Sequence, residues 1–138
     1  MHRPAAAAEM PADSLPRISA EAAARVVAEF SDIAVTINGD GVVRSLTINP
    51  ESFKLGYLDH WLGHRFEEFL TVESRKKFAD RMARIAAEDE TALRRIELNH
   101  TDSTIWEFPV RYTIHENGHP GEFLLVGQDL RSIAQVQQ

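Results

Sequence analysis

The stretch Thr104–His115, TIWEFPVRYTIH, decides the fold. Trp106, Phe108, Val110, Tyr112 and Ile114 alternate with Glu107, Pro109, Arg111 and Thr113, the period of two that turns one face of a strand to a core and the other to water. No alternating run in the chain is longer. Pro109 sits on the polar face and has no amide proton to give, so the strand needs either a bulge or a missing neighbour there. Trp106 is expected in the core, as tryptophan in a small domain usually is.

Strands are predicted on both sides of this one, at Leu93–Asn99 (LRRIELN) and Glu122–Gln128 (EFLLVGQ). Upstream, Thr71 can cap a helix from Val72 to about Glu88, with Phe78, Met82 and Ile85 as its apolar stripe. Between Asn49–Pro50 and Leu70, Gly56 and Gly63 break the chain into short helical turns. Ile33, Val35 and Ile37 alternate again, and Asn38–Gly41 (NGDG) supplies the turn into a second strand, Val42–Ile48. Before them Ser19 can cap a helix carrying Ala22, Ala23, Val26, Val27 and Phe30 on one stripe. The expected order is a flexible leader (1–17), an N-terminal helix (18–31), an α+β body (32–128) and the opening of a further helix (129–138). A strand pair, a run of helices and a strand triple lack the βαβ alternation of a parallel sheet. They imply a five-stranded antiparallel sheet with helices on one face.

The whole chain is 138 residues, 43% apolar and 26% charged, which suits a single globular core. No apolar run reaches the roughly 18 residues that cross a bilayer, and the first residues carry proline and acid where a signal peptide is apolar, so a cytoplasmic location is expected. The absence of cysteine excludes disulfides, thiolate ligands and cysteine nucleophiles from this segment. Fifteen basic against twenty-one acidic residues give a net charge of -6, which argues against contact with nucleic acid. Arg75, Lys76, Lys77, Arg81 and Arg84 are interrupted by Glu73, Asp80 and Glu88, and read as a solvated helix face.

Candidate chemistry is sparse. His60 and His64 have the spacing of a helical metal pair, but Gly63 intervenes and no third ligand is near. His115 and His119 flank a glycine-rich turn, where exposed polar residues are the ordinary reading. Glu67 with Glu68, and Glu88 with Asp89 and Glu90, are neighbouring acids of the kind usually solvated at helix ends. Neither a nucleophile elbow nor a phosphate loop occurs, so neither an enzyme nor a metal centre is expected.

The element order is that of the PAS fold, a common sensory and dimerisation domain, and WLGHRFEEFL at Trp61–Leu70 resembles the segment many PAS domains carry before their long helix. More specifically, ELNH at Glu97–His100, EFPVRY at Glu107–Tyr112 and GQDLRSIAQVQQ at Gly127–Gln138 resemble the amino-terminal domain of the PpsR/CrtJ family, transcriptional repressors of photosynthesis genes. The resemblance implies a PAS-like first domain, a glutamine-rich linker helix, two further PAS domains and a distant helix-turn-helix that binds DNA. It implies a homodimer or higher oligomer, with an antirepressor flavoprotein as partner. It implies no bound cofactor: there is no cysteine for flavin photochemistry, Val72–Glu88 holds no histidine for haem, and Gln128 by itself is weak support for flavin. The rival within the fold is a small-molecule sensor, in a transcription regulator or a signalling kinase. The residues expected to form an assembly interface are Val26, Val27 and Phe30 on the leading helix and Leu130, Ile133 and Val136 on the nascent linker, because apolar helix faces rarely persist unpaired.

Overall fold

The computed structural model describes residues 16–51, 57–103, 105–118 and 121–131, with 105 and 106 described by backbone alone. A helix, α1 (Ala20–Phe30), leads into β1 (Ile33–Ile37) and β2 (Val43–Ile48). Two 3-10 turns, Asp59–Trp61 and Phe66–Phe69, precede α2 (Val72–Ala86), and β3 (Arg95–Asp102), β4 (Ile105–Glu116) and β5 (Phe123–Asp129) follow. The strands form one antiparallel sheet in the order β2-β1-β5-β4-β3. The longest strand, β4, is the one the alternation announces.

Phe108, Val110, Tyr112 and Ile114 are buried along β4, opposite Ile96 and Leu98 of β3 and Leu125 of β5. Leu58, Trp61, Phe66, Leu70, Phe78 and Ile85 close over them from the turns and α2, completing a single core. Trp61 is fully buried, whereas the side chain of Trp106 lies outside the described residues.

Pro109 is resolved in favour of a missing neighbour. Its carbonyl accepts from Leu130 N–H at 3.0 Å, so its nitrogen also faces the β5 side, at the point where the β4–β5 ladder has ended at Val110 and Asp129. No ladder bond is lost. The irregularities fall elsewhere, between Thr36 and Ile37 and between His100 and Asp102. In the NGDG turn, Asn38 Oδ1 accepts from Asp40 N–H at 2.9 Å and Val42 N–H at 3.0 Å, and Gly41 takes φ 79°.

One expectation needs correction. Lys77 and Arg81 do not lie on a purely solvated face: Lys77 Nζ donates to Glu97 O at 2.7 Å, and Arg81 Nη1 donates to Leu93 O at 2.7 Å and Arg95 O at 2.9 Å. They cover the outer edge of β3, where unpaired carbonyls would otherwise invite another strand. Alternating charge along the helix hid this, because the acceptors are backbone carbonyls of a distant strand.

Candidate functional site

The two ends of the folded body meet where the interior strands β1 and β5 lie side by side, at the start of β1 and the end of β5. Ser19 Oγ accepts from Ala22 N–H at 3.0 Å to open α1, and Glu21 sits in its first turn. At the other end Ser31 closes the helix, both its N–H and its hydroxyl donating to Val27 O. Nothing in α1 is buried; Val26 is 50% and Phe30 76% exposed, and Val27 is partly covered. The expected faces therefore separate: Val26 and Phe30 lie open, Leu130 is partly buried beside β4, and Ile133 and Val136 lie outside the described residues.

Where α1 becomes β1, Asp32 N–H donates to Gly127 O at 2.9 Å and Asp32 Oδ2 accepts from Asp129 N–H at 2.7 Å. Asp129 is buried and is held in turn by Arg131, whose Nη2 lies 2.7 Å from Oδ2 and whose Nε lies 3.0 Å from Oδ1. The Arg131 guanidinium stands over the Phe108 ring, 5.0 Å from its centroid. Gly127 is required here because a Cβ would come within 2.6 Å of Val110 Cγ1 and 2.7 Å of the Tyr112 ring.

Phe108 connects this junction to a buried aromatic cluster. His100 stacks on it with centroids 5.0 Å apart, and Trp61 stacks on Phe69 at 4.8 Å. His100 is fully buried between Phe69 O, 2.7 Å from Nδ1, and the Tyr112 hydroxyl, 2.6 Å from Nε2. A carbonyl can only accept, so Nδ1 carries the proton and Tyr112 donates to Nε2. Burial pushes the imidazole down to about 4, so it is neutral, and it pushes the Tyr112 phenol well up. Beside the cluster, Asp102 Oδ2 accepts from Trp61 Nε1 at 2.6 Å and from His60 Nε2 at 2.7 Å. These are structural clamps: among the described residues no buried side-chain nitrogen or oxygen lacks a partner.

The sheet and its flanking helices place the chain among known folds. It superposes on the PAS domain of an HTR-like protein from Haloarcula marismortui with a TM-score of 0.53 and 18% identity, covering 79% of this chain and 92% of that one. It superposes equally on a PAS domain from Desulfitobacterium hafniense, with a TM-score of 0.55 and 12% identity over 77% of this chain and 99% of that one. No family model matches the sequence. In sequence the chain is 33% identical to Protein CrtJ of Rhodobacter capsulatus over 126 residues, which is 91% of this chain. The chain is a PAS-like domain of the PpsR/CrtJ family. It spans 26% of the length of that relative.

In this PAS-like domain the other candidate residues find local partners. His60 pairs with Asp102 and His64 with Glu68 at 3.4 Å, and no group of three metal-ligating side chains occurs among the described residues. His115 Nε2 lies 2.7 Å from Thr113 Oγ1, while His119 lies outside the described residues. Glu67 pairs with Arg65 at 3.1 Å, and Glu68 accepts from Arg65 N–H at 3.0 Å. Asp89 is bound by Thr91 and Arg84, which hold its carboxyl down to about 2. Gln128 is exposed on the outer face of the sheet, opposite Arg111. No helix among the described residues is long and apolar enough to cross a membrane.

Sequence reasoning passed over His100, Asp102, Asp32 and the Asp129–Arg131 pair. His100 stood in the quoted motif ELNH, in phase with Ile96 and Leu98. A histidine at an inward position of an alternating strand was the signal that could have found it.

Proposed function

We propose that this domain is a non-catalytic oligomerisation and signal-input module of a cytoplasmic transcriptional repressor of photosynthesis genes, whose DNA-binding helix-turn-helix lies outside this segment. The observation that carries the reading is α1: a capped amphipathic helix that buries none of its residues and leaves Val26 and Phe30 open. Burying one such side chain is worth about 1.5 to 3 kcal/mol, enough in a symmetric pair to favour self-association. The 33% identity to Protein CrtJ supports the regulatory context. The aromatic interior, the pairing of every buried polar side chain and the lack of a metal-ligating group of three leave no converging set for catalysis among the described residues. An antirepressor flavoprotein remains the partner that the family resemblance implies.

Light scattering of the chain over a range of concentrations tests this reading. Association that Phe30→Glu and Val26→Glu abolish supports it; a chain that is monomeric throughout ends it.

A second reading, a small-molecule sensor, is favoured by a separate observation. Between α2, the NGDG turn and the start of β5 lies a cleft of about 280 Å³, floored by Ile37, Phe78, Met82 and Phe123, with Arg65 and Glu67 at its rim. Its size is near the lower end for ligand pockets. Native mass spectrometry of freshly purified protein would show a retained mass if this reading holds.

A further inference from the structure

Asp32 joins three segments that are far apart in sequence. Its N–H donates to Gly127 O in β5, its carbonyl accepts from Asn49 N–H at 3.0 Å where β2 ends, and its Oδ2 accepts from Asp129 N–H where β5 gives way to the linker. Asn49 returns to α1, its Nδ2 donating to Glu29 O at 3.2 Å. The need for a side-chain acceptor follows from register. Ile33 pairs with Gly127, so the next partner for Asp129 would be Ser31, but Ser31 has already been taken as the cap of α1. The Asp32 carboxylate supplies the acceptor that the departed strand cannot.

We propose that Asp32 is a latch coupling α1 to the linker. While α1 ends at Ser31 as it does here, the carboxylate holds the Asp129 amide, Asp129 holds Arg131, and Arg131 lies on Phe108 of β4. A change in the packing of α1 moves the residue next to its cap, releases the Asp129 amide and frees Leu130 and Arg131 from β4. The latch gives the assembly reading its route from the leading helix to the chain beyond Asp129, and it rests on that reading for its biological use. Coupling of this kind is measured as non-additivity between changes at the two ends.

Amide hydrogen exchange on the 138-residue chain tests it. Asp32→Ala is expected to speed exchange of the Asp129 amide by about tenfold or more, with the Leu125 and Tyr112 amides unchanged as internal reference. Asp32→Asn, which keeps a side-chain oxygen, should stay close to the native rate. Ala24→Pro, which breaks α1, should speed the Asp129 amide at least about threefold in the native background and have no added effect on Asp32→Ala. Equal effects of Ala24→Pro in both backgrounds, or an unchanged Asp129 amide in Asp32→Ala, overturn the latch. If Asp32→Ala does not fold, Asp32→Val, whose branched side chain suits the start of a strand, replaces it in the same cycle. Light scattering of the native chain and Phe30→Glu separates the two ideas. A monomer in both cases defeats assembly, while the exchange cycle decides the latch by itself.

Discussion

α1 and α2 are built alike and used differently. Each begins at a hydroxyl cap, Ser19 or Thr71, carries an acid in its first turn and has one apolar stripe. α2 buries Ser74, Phe78 and Ile85 against the sheet and uses Lys77 and Arg81 to cover the β3 edge. α1 buries nothing. Amphipathic spacing thus establishes that a helix needs an apolar partner, but not that the partner belongs to the same chain. The sheet has one inner face, and α2 with the two 3-10 turns already fills it.

The largest test of the contrast is a pair of truncations. Phe78→Ala should lower the unfolding free energy by about 3 to 5 kcal/mol. Phe30→Ala, measured by denaturant unfolding at low protein concentration, should change it by no more than about 0.5 kcal/mol. A comparable loss in both would mean that α1 packs on its own domain, and the contrast would collapse.

Acid separates the same two regions. His100, beneath the two 3-10 turns that share the filled face with α2, is held at about 4 in the folded chain against 6.5 when unfolded. Above pH 6.5 neither state is protonated and its contribution is complete. As the pH falls from 6.5 toward 4 the unfolded chain binds the proton first, so stability declines, by an amount on the order of 3 kcal/mol, and then levels off. The titration of Asp89 acts lower, between 3.8 and about 2, whereas His115, also held below 6.5 by partial burial and then by Arg94, adds a decline of the same sign that His115→Gln removes. α1 contains no histidine and so adds no imidazole titration of its own. Proton NMR of the His100 ring checks the premise, since a midpoint near 6.5 would show that the ring is not sealed in the core.

What the sequence made legible follows from which forces are periodic. The alternation at Phe108, Val110, Tyr112 and Ile114 is a burial pattern, and burial is what turns that face of β4 to the core. Ser19 and Thr71 were readable because a cap is a local bond, satisfied within three residues. The junction was not readable, because Asp32 and Asp129 are 97 positions apart and their bond exists only once β1 and β5 are paired. Lys77 and Arg81 were misjudged for the same reason: their acceptors are main-chain atoms, which leave no residue signature. His100 was visible as an inward position, but its partners, Phe69 O and the Tyr112 hydroxyl, come from two other elements.

Gly127 offers a smaller test at the junction. Gly127→Ala drives a methyl against Val110 and the Tyr112 ring, which sit in β4 and cannot both move away. Overpacking of this kind costs about 1 to 3 kcal/mol. A shift in the thermal midpoint with Asp129 exchange raised alongside it would place the Asp129 end of β5 within the same cooperative unit as the core. An unchanged midpoint would show that the β4–β5 contact is looser than its distances imply.

The smallest test returns to the caps. Thr71→Ala removes the acceptor for Ser74 N–H, and Ser19→Ala removes that for Ala22 N–H, each a loss of about 1 kcal/mol to its own helix. The two should be read out differently. α2 unfolds with the sheet, so its loss should appear in the global transition followed by tryptophan fluorescence. α1 contributes no buried side chain to the domain, so its loss should appear as faster exchange at the amides of its first turns with the global midpoint unmoved. Association should weaken severalfold in Ser19→Ala, because a frayed helix must be reordered before Val26 and Phe30 can present one face. A Ser19→Ala midpoint that falls as far as that of Thr71→Ala would make the two helices energetically alike and assign α1 to the core it was expected to leave.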